Sequence, residues 1–272
     1  MIEQGKINKL SIIKRSTFGL FLGDKAGEEV LLPKKYCTDA MKPGMDVEVF
    51  IYRDSEDRKV ATTLTPRIRF HEFALLKVKA VAKVGAFMDW GLEKDLMVPF
   101  REQPQSMEEG RWYIVYLDLD EKTDRLFASN RVERFLQNEV LSVVEGDEVA
   151  LLVWQKTDLG YSVIVDHIHK GLIFVNEIFQ RLNVGERLTG YVKKIREDNK
   201  IDISQQAIGY EKFNDINSEK IYNALTDNQG FRPPTDKSSP EVIYAQFGIS
   251  KKAFKKSIGA LYKQKKILIE PS

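Results

Sequence analysis

Six glycines and three basic residues stand at one spacing in three places along the chain. Gly19, Gly85 and Gly160 are each followed 25 positions later by a second glycine, Gly44, Gly110 and Gly185. Fifteen positions further on comes a cation, Lys59, Arg125 and Lys200. Self-similarity at a fixed register marks a repeated supersecondary unit. The steps between copies are 66 and 75 residues in a chain of 272, which suits several small domains better than one large core. The first part of the chain therefore reads as three copies of one module.

The lettering between the glycines says what the module is. The first copy runs Phe18-Gly19-Leu20-Phe21-Leu22, Val30-Leu31-Leu32-Pro33 and Val47-Glu48-Val49-Phe50-Ile51-Tyr52. The second runs Val84-Gly85-Ala86-Phe87-Met88, Leu96-Met97-Val98-Pro99 and Trp112 to Leu117; the third has Leu159 to Val163, Gly171 to Val175 and Leu188 to Ile195. Short β-branched and aromatic runs between turn residues are strand grammar. Five short antiparallel strands close most economically as a small Greek-key barrel, because closure removes exposed edges. The oligonucleotide-binding (OB) barrel is the expected form.

These motifs resemble the S1 RNA-binding domain. The resemblance rests on a glycine-small-aromatic strand, a Gly-Leu-Val-like strand after it, and a last strand reading basic-aliphatic-x-x-Ser. Gly85-Ala86-Phe87, Gly171-Leu172-Ile173 and Lys200-Ile201-Asp202-Ile203-Ser204 carry it best. The resemblance implies exposed aromatics one position before and two after the first glycine. Those positions are Phe18 and Phe21, then Val84 and Phe87, then Leu159 and Ser162. A third family position, usually histidine, falls on Pro33, Pro99 and Phe174. Phe174 offers a further stacking ring, and Tyr161 is a candidate replacement for the pair that the third copy lacks. Lys59, Arg125 and Lys200 would neutralise phosphates from the start of the last strand. Single-stranded RNA presents stackable bases on a phosphate chain, so aromatics beside cations are the chemistry it requires. An aromatic on a strand equally serves a core, and a lone cation equally serves as a solvated hairpin residue.

After Ser204 the grammar becomes helical. Asn217-Ser218 read as a cap before Glu219 to Leu225, with residues 221, 222 and 225 on one face. Ser239-Pro240-Glu241 reads as a cap with proline at the first helical position, the second helix ends near Gly248, and Ser250 caps a third. Helix, glycine turn, helix, followed by a strand at Ile267-Leu268-Ile269, predicts a winged helix-turn-helix. Residues 250–266 hold seven lysines and no acid. Lys252, Lys256 and Lys263 fall opposite Phe254, Ile258 and Leu261, with Lys255 beside them. That stripe suits phosphate contact as well as plain solvation, and it carries no Arg, Asn or Gln set for reading base edges.

Residues 206–272 hold eleven basic against seven acidic residues, and the first 205 hold 31 against 33. Basic character is concentrated at the end of the chain, so contacts in the barrels must rely on local residues. Cys37 is the single cysteine, which excludes an intrachain disulfide and a thiolate zinc cluster. No apolar run reaches the ~20 residues of a membrane span, and we expect a cytoplasmic protein. His71, His167 and His169 are the only histidines. His167-x-His169 on one strand face would permit a metal, but its neighbours do not complete a ligand set. No phosphate-cradling loop or nucleophile elbow is present, so we expect a nonenzymatic protein without cofactor or metal.

Three S1-like repeats followed by a winged helix resemble the conserved virulence factor B (CvfB, YitL-like) family of bacteria. Val84 to Leu92, Lys94 to Phe100, Thr157 to Tyr161 and Lys251 to Lys263 carry the likeness, which spans essentially the whole chain. It implies an RNA-binding protein acting on gene expression after transcription. The expected domains are 1–64, 65–132 and 144–206 as S1-like OB barrels, 133–143 as a linker helix and 207–272 as the winged helix. Single-stranded RNA is the expected partner, with duplex nucleic acid as a further partner of the winged helix. A DNA-binding transcriptional regulator and a ribosome or RNA-polymerase accessory factor are the alternatives.

Overall fold

The first glycine of each copy is placed where no other residue fits. In a computed structural model, which describes residues 1–175, 178, 181–206, 212–227, 238–263 and 266–268, Gly19, Gly85 and Gly160 have φ of +148°, +150° and +147°. A Cβ on each would lie 2.0, 2.2 and 1.9 Å from the carbonyl oxygens of Leu32, Val98 and Ile173. The neighbouring strand thus crosses directly over the glycine, a close backbone approach that only a missing side chain allows. The second glycines, at φ +90°, +81° and +87°, open a turn whose amide donates to the centre of the first strand. The acceptors are Ile12 O at 2.8 Å, Val78 O at 2.9 Å and Val153 O at 2.8 Å. Each first strand carries a β-bulge at that point, at Ile12/Lys14, Val78/Ala80 and Val153/Gln155.

Around these fixed points the first 205 residues form three five-stranded units. The first consists of β1 (Ile7–Arg15), β2 (Gly19–Gly23), β3 (Glu29–Pro33), β4 (Asp46–Arg53) and β5 (Lys59–Thr62), closed in the order β1-β2-β3-β5-β4. The second consists of β6 (Phe73–Ala82), β7 (Gly85–Asp89), β8 (Leu96–Pro99), β9 (Trp112–Asp120) and β10 (Arg125–Ser129), in the order β10-β9-β6-β7-β8. Its edge strands β8 and β10 lie side by side without a ladder. The third consists of β11 (Glu148–Thr157), β12 (Gly160–Val165), β13 (His169–Phe174), β14 (Arg187–Ile195) and β15 (Ile201–Ser204), closed as β11-β12-β13-β15-β14. All strand pairs are antiparallel except β3 with β5 and β13 with β15, the parallel contacts that close a Greek-key OB barrel.

The barrels do not hang as beads. Phe50, Tyr52 and Val60 of the first are buried in one cluster with Trp90, Leu92 and Leu96 of the second, and Phe50 meets Trp90 edge to face at 5.7 Å. Phe73 and Ile114 of the second are buried with Leu152 and Ile164 of the third. Aromatic pairs of this kind add about 0.5–1.5 kcal/mol beyond the area they bury.

The helix expected over 133–143 is a single 3-10 turn, Val132–Phe135, followed by irregular chain. Its polar groups bond to the third barrel instead of to one another. Ser142 N donates to His169 Nε2 at 3.1 Å, which leaves His169 Nδ1 to donate to Gln137 O at 2.6 Å. The Asn138 amide donates to Lys170 O and Asn199 O and accepts from Lys170 N.

Residues Gln206–Ser272 form a second compact unit with α1 (Lys212–Asp227), α2 (Pro240–Phe247) and α3 (Lys251–Lys263). Ile221, Ile243, Phe247, Phe254 and Leu261 make its core. Ser239 and Pro240 open α2, Gly248 closes it at φ +67°, and Ser250 Oγ accepts from Ala253 N at 3.2 Å to cap α3. The expected cap at Asn217-Ser218 lies inside α1 instead; both residues are buried, and Ser218 Oγ donates to Ser257 O at 3.4 Å. Tyr222, expected on the apolar face, is 38% exposed. Ile267 and Leu268 are not in a strand, and Ile269 lies outside the described residues.

Candidate nucleic-acid interface

Strand alternation decides which residues of each barrel face outward. Along β2 the residue after the glycine, Leu20, is fully buried, and the next, Phe21, is half-buried on the outer face. In β7 Ala86 is buried and Phe87 faces outward. Across the ladder Phe21 pairs with Leu31, Phe87 with Met97 and Ser162 with Leu172. Each outer face thus presents one residue two after the glycine beside one apolar partner. The residue before the glycine stands free in all three: Phe18 is 74% exposed, Val84 59% and Leu159 62%.

By the same alternation Tyr161 falls on the inward register of the third barrel, where it is half-buried. It occupies the position of Leu20 and Ala86, and its ring packs against that barrel's core. Ser162 holds the outward position and is 7% exposed. Phe174 sits opposite Gly160 with the Arg196 guanidinium 5.3 Å above its ring. The outer face of the third barrel is a groove of about 670 Å³ with Leu159, Ser162, Leu172 and Ile201 in its lining. Leu136 and Asn138 of the irregular 136–143 segment form part of the same lining, and Lys170, Arg196 and Lys200 bring cations to it.

The three register cations are all occupied. Lys59 Nζ donates to Glu28 Oε1 at 2.9 Å. Hydrogen bonds from Ile2 N and then Lys59 hold that carboxyl below its usual range. Arg125 clamps Asp57 of the first barrel with two bonds, Nε to Oδ1 at 3.0 Å and Nη2 to Oδ2 at 2.9 Å. Arg53 reciprocates by gripping Asp124, with Nε donating to Asp124 O at 2.7 Å. Arg125 is therefore a bracket between two barrels instead of an open phosphate contact. Lys200 Nζ donates to Asp198 Oδ2 at 2.6 Å with 71% of its side chain exposed, a pair that water and salt loosen readily. Of the three, Lys200 is the one best placed to exchange its partner.

On α3, Lys252 and Lys256 are exposed and Lys255 is exposed beside them, while Phe254 and Leu261 face the core. The Lys263 side chain lies outside the described residues.

The histidines take structural roles that strand alternation alone did not reveal. His167 and His169 do not share a face, because Asp166 and His167 turn through positive φ before β13 begins. His167 Nδ1 accepts from Phe73 N at 2.9 Å, and Arg187 Nη2 donates to Phe73 O at 2.9 Å. Both backbone groups of Phe73 are held by the third barrel. Burial, together with Arg187, pushes the His167 pKa down. Among the described residues no cluster of three or more His, Cys, Asp or Glu could hold a metal ion, and no helix is long and apolar enough to cross a membrane.

Two domain-family models match this chain. The S1 domain family model matches residues 4–64, and the CvfB-like winged helix domain model matches residues 219–272. Both are nucleic-acid-binding domain types. The Staphylococcus aureus protein named conserved virulence factor B is 27% identical over 98% of this chain and 91% of its own length. A Streptococcus pneumoniae crystal structure described as a multidomain protein with nucleic acid binding domains is 26% identical, covering 98% of this chain and 96% of that one, with a TM-score of 0.42. The Bacillus subtilis protein YitL is 30% identical over 99% of this chain and 92% of its own length. With that match along the full chain, three OB barrels and a C-terminal winged helix, the protein belongs to the conserved virulence factor B family.

Proposed function

We propose that this is a noncatalytic, cytoplasmic RNA-binding protein that holds single-stranded RNA on the outer faces of its barrels and regulates gene expression after transcription. The observation that carries the reading is the first barrel's outer face, where Phe18, in the bend just before β2, is 74% exposed and Phe21 lies on the outward side of β2. Phe87 adds a stacking position on the second barrel, and Phe174 with Lys200 extends the path to the third. Lys252, Lys255 and Lys256 of α3, with Lys263 following on the same helix, would grip the backbone. The working units are 1–64, 65–132, 144–206 and 207–272. Several weak sites on one chain gain from effective concentration, so the intact array is expected to bind far more tightly than any single module.

Fluorescence-anisotropy titration of the whole protein with labelled single-stranded RNA tests this, with single-stranded DNA and duplex DNA of matched length as competitors. Preference for the single strand, RNA above all, supports the barrel mechanism. Preference for duplex DNA would move the function to α3, a second reading favoured by its acid-free lysine face.

A further inference from the structure

The ring that this reading assigns to base stacking in the first barrel is already covered. Lys14 follows the bulge in β1 and lies opposite Phe21. Its ammonium stands 4.9 Å from the centre of that ring and donates to Glu29 Oε2 at 3.1 Å. Glu29 and Leu31 alternate onto the same outward face, which places ring, cation and carboxylate together. The third barrel repeats the arrangement with different residues. Arg196 lies over Phe174 at 5.3 Å and is held by Asp202 through Nε at 3.1 Å and Nη2 at 3.0 Å. The second barrel differs: Ala80 lies opposite Phe87, and the nearby Lys79 bonds Asp95 at 2.7 Å. Among the described residues no cation is recorded over Phe87.

We propose that Phe21 and Phe174 are capped platforms on which a nucleotide binds by exchange: its base takes the ring face, and its phosphate draws Lys14 or Arg196 away from Glu29 or Asp202. This rests on the RNA-binding reading above. A base and a cation compete for the same ring face, and the displaced cation needs a new anion, which the phosphate beside the base supplies. An exposed ion pair and an exposed cation–ring contact are among the weaker contacts in proteins, whereas a stacked base is held more firmly, so the exchange runs toward the bound state. Glu29 and Asp202 are positioning residues that set its threshold. Lys14 and Glu29 side chains are 57% and 39% exposed, whereas Asp202 is 15% exposed and grips Arg196 twice. Phe21 therefore opens more readily than Phe174, and Phe87 needs no opening.

The test compares Glu29→Gln with Glu48→Gln in the intact protein, each alone and combined with Lys14→Met, by anisotropy titration with labelled single-stranded RNA. Glu48 is exposed on β4 of the same barrel, so both changes remove one surface charge. Glu29→Gln is expected to tighten binding about threefold beyond Glu48→Gln, and that excess disappears with Lys14→Met. Equal effects of the two changes, or an excess that survives Lys14→Met, overturn the exchange while leaving RNA binding intact. Failure of the unaltered protein to bind single-stranded RNA overturns both readings.

Discussion

In the first barrel the outward position two residues after the strand glycine is Phe21 and its cross-strand partner is Leu31; in the third the same positions are Ser162 and Leu172. Both barrels keep the glycine at φ near +148°, the bulged first strand and the glycine turn tied to that strand's centre. What differs is outside. The first presents a free Phe18 and a half-buried Phe21, and the third presents a groove partly lined by the 136–143 segment. The frame is constrained by backbone sterics, which tolerate no substitution, whereas the outer face meets only solvent and ligand and so can diverge. A shared frame therefore does not fix which residues stand on the outer face.

The sharpest way to break the comparison is to remove the rings. Phe21→Ala with Phe87→Ala is expected to weaken single-stranded RNA binding by ~2–6 kcal/mol, at about 1–3 kcal/mol per stacked base. Leu159→Ala with Ser162→Ala in the third barrel leaves it nearly unchanged. An unaltered affinity in the folded Phe21/Phe87 variant removes the stacking assignment.

The frame should fail equally wherever it is attacked. Gly19→Ala and Gly160→Ala are each expected to cost about 3 kcal/mol of stability, from positive φ and collision with the crossing strand. Urea unfolding followed by far-UV circular dichroism reads this, and a barrel that accepts alanine without loss would show that the two frames are not equivalent.

Acid should separate the seams between barrels. His167 accepts from Phe73 N at the seam of the second and third barrels, and its pKa is held below the ordinary 6.5. The unfolded chain then binds the proton more readily, so stability is complete above pH ~6.5 and falls as pH drops toward the folded pKa. His167→Gln is expected to flatten that part of the melting-temperature profile between pH 7 and 5. A profile unchanged by the substitution would remove the histidine from the seam's energetics.

The smallest effects distinguish two cations at one repeat position. Arg125→Ala is expected to lower the melting temperature slightly by removing the Asp57 bracket and to leave the salt dependence of RNA binding unchanged. Lys200→Ala is expected to leave stability within about 0.5 kcal/mol and to lower the slope of log affinity against log salt by ~0.7, one phosphate contact. The opposite pattern would reverse their roles.

Much of this was legible in the residues. Glycine spacing located the three crossings because each crossing admits only glycine. Ser239-Pro240, Gly248 and Ser250 located helix ends because caps are local chemistry. The helix expected over 133–143 failed because its polar groups find partners on the third barrel, and the Asn217-Ser218 cap failed because Ser218 bonds α3 across the core. The inward register of Tyr161 was legible from strand period alone, since it stands one residue after its glycine, as Leu20 and Ala86 do.

The amino-acid sequence by itself determined the module, its three copies, the strand glycines and the helix boundaries marked by caps, because each depends on contacts within a few residues or on a backbone position closed to side chains. Only the tertiary structure decided which cations are spent on neighbouring barrels, how Phe73 is held, what lines the third barrel's groove and which aromatic rings are capped. Arg125 and Asp57 are 68 residues apart in sequence, and Phe73 and His167 are 94 apart. Partners brought together by folding leave no periodic mark in either segment, and the physical state of a charge or ring is set by what folding places beside it.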